Sequence, residues 1–116
     1  MLQITAHHKI LLAIKPTDFR KGIDSLVAEC IKYFECDPMN GAIFAFTNRR
    51  RISVKLLVYD GNGFWLCQKR FSSGKLKWWP ATQDQALRLQ ASELQVILAQ
   101  GIPSQINIPK NWREII

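Results

Sequence analysis

Between Asn48 and Trp79 the chain reads NRRRISVKLLVYDGNGFWLCQKRFSSGKLKWW, and the middle of that stretch leaves little choice of local structure. One β-branched and aromatic run, 52–59, meets a second, 64–71, across Asp60-Gly61-Asn62-Gly63. Asp-Gly and Asn-Gly both suit the positive-φ positions of tight turns, so the pattern predicts a β-hairpin. With a loop of even length, Tyr59 lies opposite Phe64, Leu57 opposite Leu66, Lys55 opposite Gln68 and Ser53 opposite Arg70. One face then collects Ile52, Val54, Leu56, Val58, Trp65, Cys67 and Phe71, with Lys69 as the intruder. The other is apolar near the turn and basic toward the open end, where Arg49, Arg51, Lys55 and Arg70 come together. An odd loop or a bulge would flip one strand and spoil the apolar face, which favours the even register.

The same stretch holds the charge. From Arg49 to Lys77 there are eight basic residues and one acid, Asp60, a net of +7 that equals the net charge of the whole chain. A pI near 9.7 favours an anionic partner. Without a membrane-type amphipathic helix that partner is nucleic acid rather than lipid, and the plain alternative is a solvated basic face. At 116 residues and 47% hydrophobic, the chain is expected to form one domain with a real core. No stretch reaches the roughly 18 to 20 apolar residues of a membrane span. The N-terminus has no basic leader region, so a cytoplasmic protein with no membrane contact is expected. Cys30, Cys36 and Cys67 show no C-x-x-C spacing, which argues against a disulfide framework or a zinc site.

Taken in order, 9–15 (KILLAIK) is a strand candidate closed by Pro16. Thr17 is the expected N-cap of a long helix, with Phe19, Ile23, Leu26, Val27, Cys30, Ile31 and Phe34 as its apolar stripe. Arg20 and Lys21 would then stand in its first turn, where exposed backbone N–H groups could join them in holding a phosphate. The turn 37–41 leads to a strand over 42–47, and 75–79 is a candidate fourth strand before Pro80. Residues 81–90 read as turn-like, and a short helix fits 91–100 with Gly101 as its C′ residue. The expected fold is therefore α+β: a single domain over 1–102, an antiparallel meander of three to five strands packed on one long N-terminal helix, a short C-terminal helix, and an extended tail over 103–116.

Catalytic patterns are thin. His7 and His8 are adjacent and point apart in an extended chain, Asp60-Gly61-Asn62-Gly63 lacks the further acids of a calcium loop, and no G-x-S-x-G, P-loop or H-E-x-x-H occurs. A nuclease would need converging carboxylates, whereas Asp18, Asp24, Asp37, Asp60 and Asp84 are scattered. No enzyme, metal or cofactor is expected.

Pro16-Thr17-Asp18-Phe19-Arg20-Lys21-Gly22-Ile23-Asp24-Ser25-Leu26, then Asn48-Arg49-Arg50-Arg51, Lys55-Leu56-Leu57, Tyr59 through Leu66, Lys69-Arg70-Phe71 and Trp79-Pro80, together resemble one bacterial family. It is the TnpB-type accessory protein, the second open reading frame, of insertion sequences of the sixty-six family. The resemblance runs from about Lys9 to Gly101. Phe19 stands where that family often has Met, Ser72 where an acid often follows the Lys-Arg pair, and Gln90 where a Ser or Thr caps a helix. The resemblance implies an accessory role in DNA transposition beside a separate, larger transposase, and no catalysis by this chain.

Joined to the charge pattern, this gives the expected site: Arg49, Arg51, Lys55, Lys69 and Arg70 on DNA phosphates at the insertion-sequence ends, with Arg20 and Lys21 as outlying contacts. The alternative is a protein-interaction module that docks the transposase without touching DNA.

Overall fold

The computed structural model describes residues 4–35, 37–82 and 84–103. Cys36 and the tail from residue 104 onward, on which two of the expectations above fall, lie outside them. Five strands form one mixed sheet: β1 (Ile10–Ala13), β2 (Ile43–Thr47), β3 (Ser53–Tyr59), β4 (Phe64–Arg70) and β5 (Ala86–Leu89), in the order β4-β3-β2-β1-β5. Helix α1 (Ile23–Glu29) connects β1 to β2, and α2 (Ala91–Leu98) follows β5.

The hairpin has the even register. Tyr59 pairs with Phe64, Leu57 with Leu66, Lys55 with Gln68 and Ser53 with Arg70. The wholly antiparallel meander does not hold, because β1 runs parallel to β2, Ile10 opposite Ile43. A parallel pair needs a crossover, and α1 with its flanking loops is that crossover. The candidate strand at 75–79 is absent. The fifth strand is instead β5, which joins the opposite edge of the sheet, antiparallel to β1, from residues that read as turn-like. Over 71–80 the chain instead sends Leu76 and Trp79 into the core, where the Trp79 indole N–H donates to the Ala13 carbonyl (3.1 Å).

Both faces of the sheet's inner strands are covered. Ile10, Leu12, Ile43, Ala45, Val54, Leu56 and Val58 pack with Phe71, Trp79, Leu94 and Ile97 on the α2 side. Ala13, Phe44, Phe46 and Leu57 pack with Leu26 and Cys30 on the α1 side. Strands buried on both faces need no alternation of polar and apolar residues, which is why β2 and most of β3 are buried throughout.

The expected long first helix is short. Thr17 is not its cap: its backbone N–H donates to the Thr47 carbonyl (2.8 Å), and the helix begins only after Gly22. After seven α-helical residues, Cys30–Phe34 widen into a single π turn closed by Glu35 at φ 51°. The period of 3.6 therefore no longer decides which side chains face inward. Phe34 stays on the core, its ring 5.2 Å from that of Phe44, while Ile31 stands 58% exposed.

Helix α2 matches expectation more closely. Leu94 and Ile97 are fully buried, and Gln90 serves in the cap position, its N–H donating to Glu93 Oε1 (3.2 Å). The left-handed residue at its end is Gln100, φ 61°, rather than Gly101. Gly101 sits so close to Val96 that a Cβ would come 2.8 Å from Val96 Cγ1.

Candidate nucleic-acid interface

With β3 buried on both faces and only β4 left open, the basic residues do not form one outward face of the hairpin. They collect at one end of the sheet, where β1, β2 and β4 finish and β3 begins. Two loops build this end, 14–22 after β1 and 48–52 after β2, and the Thr17 N–H to Thr47 carbonyl bond ties one to the other.

The arginine loop is fixed through its backbone. Asn48 accepts from Ile52 N–H with its side chain (3.0 Å) and from Arg51 N–H with its carbonyl (3.0 Å). Arg51 takes a left-handed φ of 59°, a conformation that costs a non-glycine residue about 1 kcal/mol, and its carbonyl accepts from Leu76 N–H (2.8 Å). The side chains are uncommitted by comparison. Arg49, Arg50 and Arg70 are exposed, and none of their guanidinium groups makes a hydrogen bond or ion pair among the described residues.

The loop after β1 differs. Asp18 accepts from the Arg20 backbone N–H (3.0 Å) and grips its guanidinium through both carboxylate oxygens, the shortest contact being 2.7 Å. The Arg20 side-chain bonds, then its backbone N–H and the charges of Arg20 and Lys21, hold the Asp18 carboxyl at about 2. Lys21 bonds Glu29, whose hydrogen bond and charge raise the lysine above its ordinary value. Both Arg20 and Lys21 lie ahead of the helix rather than in its first turn.

Lys55 is not open to a ligand. It is 7% exposed on the α1 side of β3, and its ammonium donates to the carbonyls of Phe19 (2.8 Å) and Lys21 (3.2 Å) while lying 4.9 Å from the Phe19 ring centroid. A strand position that alternation marks as basic is thus the post on which the 16–22 loop rests. Lys69 is exposed, but on the opposite side of the sheet, where its ammonium caps the C-terminal end of α2 by donating to the Leu98 carbonyl (2.7 Å). Of the seven expected contacts, Arg49, Arg51, Arg70, Arg20 and Lys21 share one end of the molecule and Lys55 and Lys69 are engaged elsewhere.

Between the two loops lies an open cleft of about 830 Å³ whose walls include Arg20, Lys21, Asn48, Arg49 and Arg50, with Glu29 and Tyr33 along α1 and the π turn. Arg50, Asn48 and Tyr33 were not among the expected contacts. Arg50 is the middle of the Arg-Arg-Arg run, and strand alternation carried into that loop set it apart from Arg49 and Arg51. Tyr33 gave no signal beyond being an aromatic next to Lys32. Among the described residues no three His, Cys, Asp or Glu side chains converge to hold a metal ion, and no helix is long and apolar enough to cross a membrane.

The family described as IS66 Orf2 like protein matches residues 8–107. Among curated relatives, the uncharacterized protein y4jC of Sinorhizobium fredii is 34% identical over 91 residues, which cover 78% of this chain and 77% of that protein. A second uncharacterized protein of the same organism, y4hO, is 27% identical over 99 residues, 85% of each chain. No solved structure matches.

Proposed function

The chain belongs to the IS66 Orf2-like family, and from that premise we propose that it is a non-catalytic accessory factor in transposition, holding DNA phosphates at the element ends while a separate transposase does the chemistry. The observation that carries this reading is the contrast within one end of the sheet: a loop with its backbone fixed by hydrogen bonds and its arginine side chains unpaired. A guanidinium presented on a rigid loop matches a phosphate with little ordering cost. Arg49, Arg50, Arg51 and Arg70 are the primary contacts in this proposal. Arg20 and Lys21 exchange their carboxylate partners for phosphate only at some cost, and Lys55 and Lys69 act through structure. Base-specific readout is not proposed, since neither helix presents a row of polar side chains to a groove.

The test is binding of the purified chain to a short duplex across a salt series. Four phosphate contacts give a log–log slope of about −3.6 by counterion release, and a flat dependence or no gel shift overturns the reading. The second reading, a module that docks the transposase without DNA, draws on the exposure of Ile31 (58%) and Met39 (55%). It gains if the chain binds transposase but shifts no DNA alone.

A further inference from the structure

The cleft between the loops does not stand alone. Beside it a smaller, mostly apolar pocket of about 120 Å³ is walled by Ala13, Pro16, Phe34 and Phe46 with Lys15 and Gln85 among them, and past it a hollow of about 280 Å³ reaches Lys32. Glu29 and Tyr33 border all three spaces, so the three adjoin along α1 and the π turn as a row of hollows. Cations stand at both ends, Arg49 and Arg50 at one and Lys32 at the other. Midway is the Tyr33 ring, 39% exposed, with Lys32 Nζ 5.4 Å from its centroid. Glu29, the acid in the middle, is neutralised by Lys21.

Duplex phosphates need neither an aromatic ring in the row nor an apolar side pocket. An unpaired base gains from both, because its π faces seek an aromatic ring to stack on and apolar surface to lie against. We infer that this row of hollows takes single-stranded DNA, with phosphates on Arg49 and Arg50, a base stacked on Tyr33 and the mostly apolar side pocket beside it. Charge at intervals with an aromatic between is the arrangement that binds single strands without regard to sequence. An extended peptide would also fit such a row, but the excess of cations favours a polyanion. The inference rests on the phosphate-binding reading above and narrows it to one strand.

The experiment compares a short fluorescent oligothymidine with a blunt duplex of equal length on the full chain. The expected result is tighter binding of the single strand, a roughly 5- to 150-fold loss of it in Tyr33→Ala with duplex binding little changed, and retention in Tyr33→Phe. Equal affinity for both forms, or an unchanged Tyr33→Ala, overturns the inference. If Arg49→Ala and Arg50→Ala weaken both forms while Tyr33→Ala weakens neither, phosphate binding stands and the single-strand site falls. If the wild-type chain binds no DNA, both fall, and protection of Tyr33 by transposase then assigns the hollows to a protein segment. Should Tyr33→Ala unfold, photo-crosslinking of a halogenated oligothymidine to the unmodified protein decides, because label on Tyr33 is required.

Discussion

The two ends of the sheet are built on opposite terms. At the hairpin tip the side chains are consumed by the turn itself: Asp60 accepts from the N–H groups of Asn62 (3.2 Å) and Gly63 (3.1 Å) and from the Trp65 indole (2.7 Å), and the Tyr59 hydroxyl donates to the Gly61 carbonyl (3.0 Å). At the far end the backbone of 48–52 is equally well bonded, yet its arginine side chains are left over. A loop whose side chains serve the loop is architecture. One whose backbone is satisfied while its charged groups are not is prepared for something outside the chain.

Lys55 offers the strongest way to break this contrast, because it makes the preparation possible. Lys55→Glu would set a carboxylate against two carbonyls in a nearly buried site and is expected to prevent folding, as read by loss of a cooperative urea transition. Lys55→Met keeps the length without the charge. It should cost on the order of 3 kcal/mol, the worth of charged hydrogen bonds to two carbonyls, and should weaken DNA binding even though Lys55 never touches DNA.

The next largest effect lies in binding alone. Arg49→Ala, Arg50→Ala or Arg70→Ala should each reduce the salt slope by about 0.9 and leave the thermal midpoint unmoved. A drop in midpoint would place the arginines with the tip residues, as parts of the fold.

Asp60→Asn tests the other end. The two backbone N–H groups and the Trp65 indole hold this carboxyl below its ordinary value, the Asn62 N–H most of all. A depressed carboxyl contributes stability above its unfolded value and loses it as pH falls through the folded one. The variant should therefore melt slightly lower than wild type at neutral pH, the two curves should converge below roughly pH 4, and DNA binding should not change.

The smallest effect is expected from Asp18→Ala. The pair it breaks is exposed, with the Arg20 side chain 91% accessible, so stability should barely respond. Releasing Arg20 should steepen the salt slope by up to about 0.9 if that arginine then reaches a phosphate. With the carboxyl held at about 2, acidification releases Arg20 only near that pH, so the substitution is the practical probe.

What could be read in the sequence follows the range of each interaction. The hairpin register was legible because Asp-Gly-Asn-Gly and strict alternation are local. Strand β5 was not, because Ala86-Leu87-Arg88-Leu89 becomes a strand only by pairing with β1, more than seventy residues earlier. Alternation located Lys55 on the correct side of β3 but could not tell what would cover that side. Carried past the strand, it also grouped Arg49 with Arg51 and left out Arg50, although all three sit in one loop. The helix failed at its two ends for the same reason: Thr17 answers to Thr47, and the π turn follows how Phe34 packs on Phe44 and Phe46.

Strand β4 is the outer strand of the sheet, seven residues long, with no strand beyond it among the described residues. Its last three positions, Gln68, Lys69 and Arg70, are all exposed, and charge there discourages a second molecule from zipping onto the strand. The opposite half, Phe64 to Cys67, has no such guard. Charge-stripped variants of this segment will thus be the ones to watch for precipitation, with self-templated pairing starting from the aromatic half.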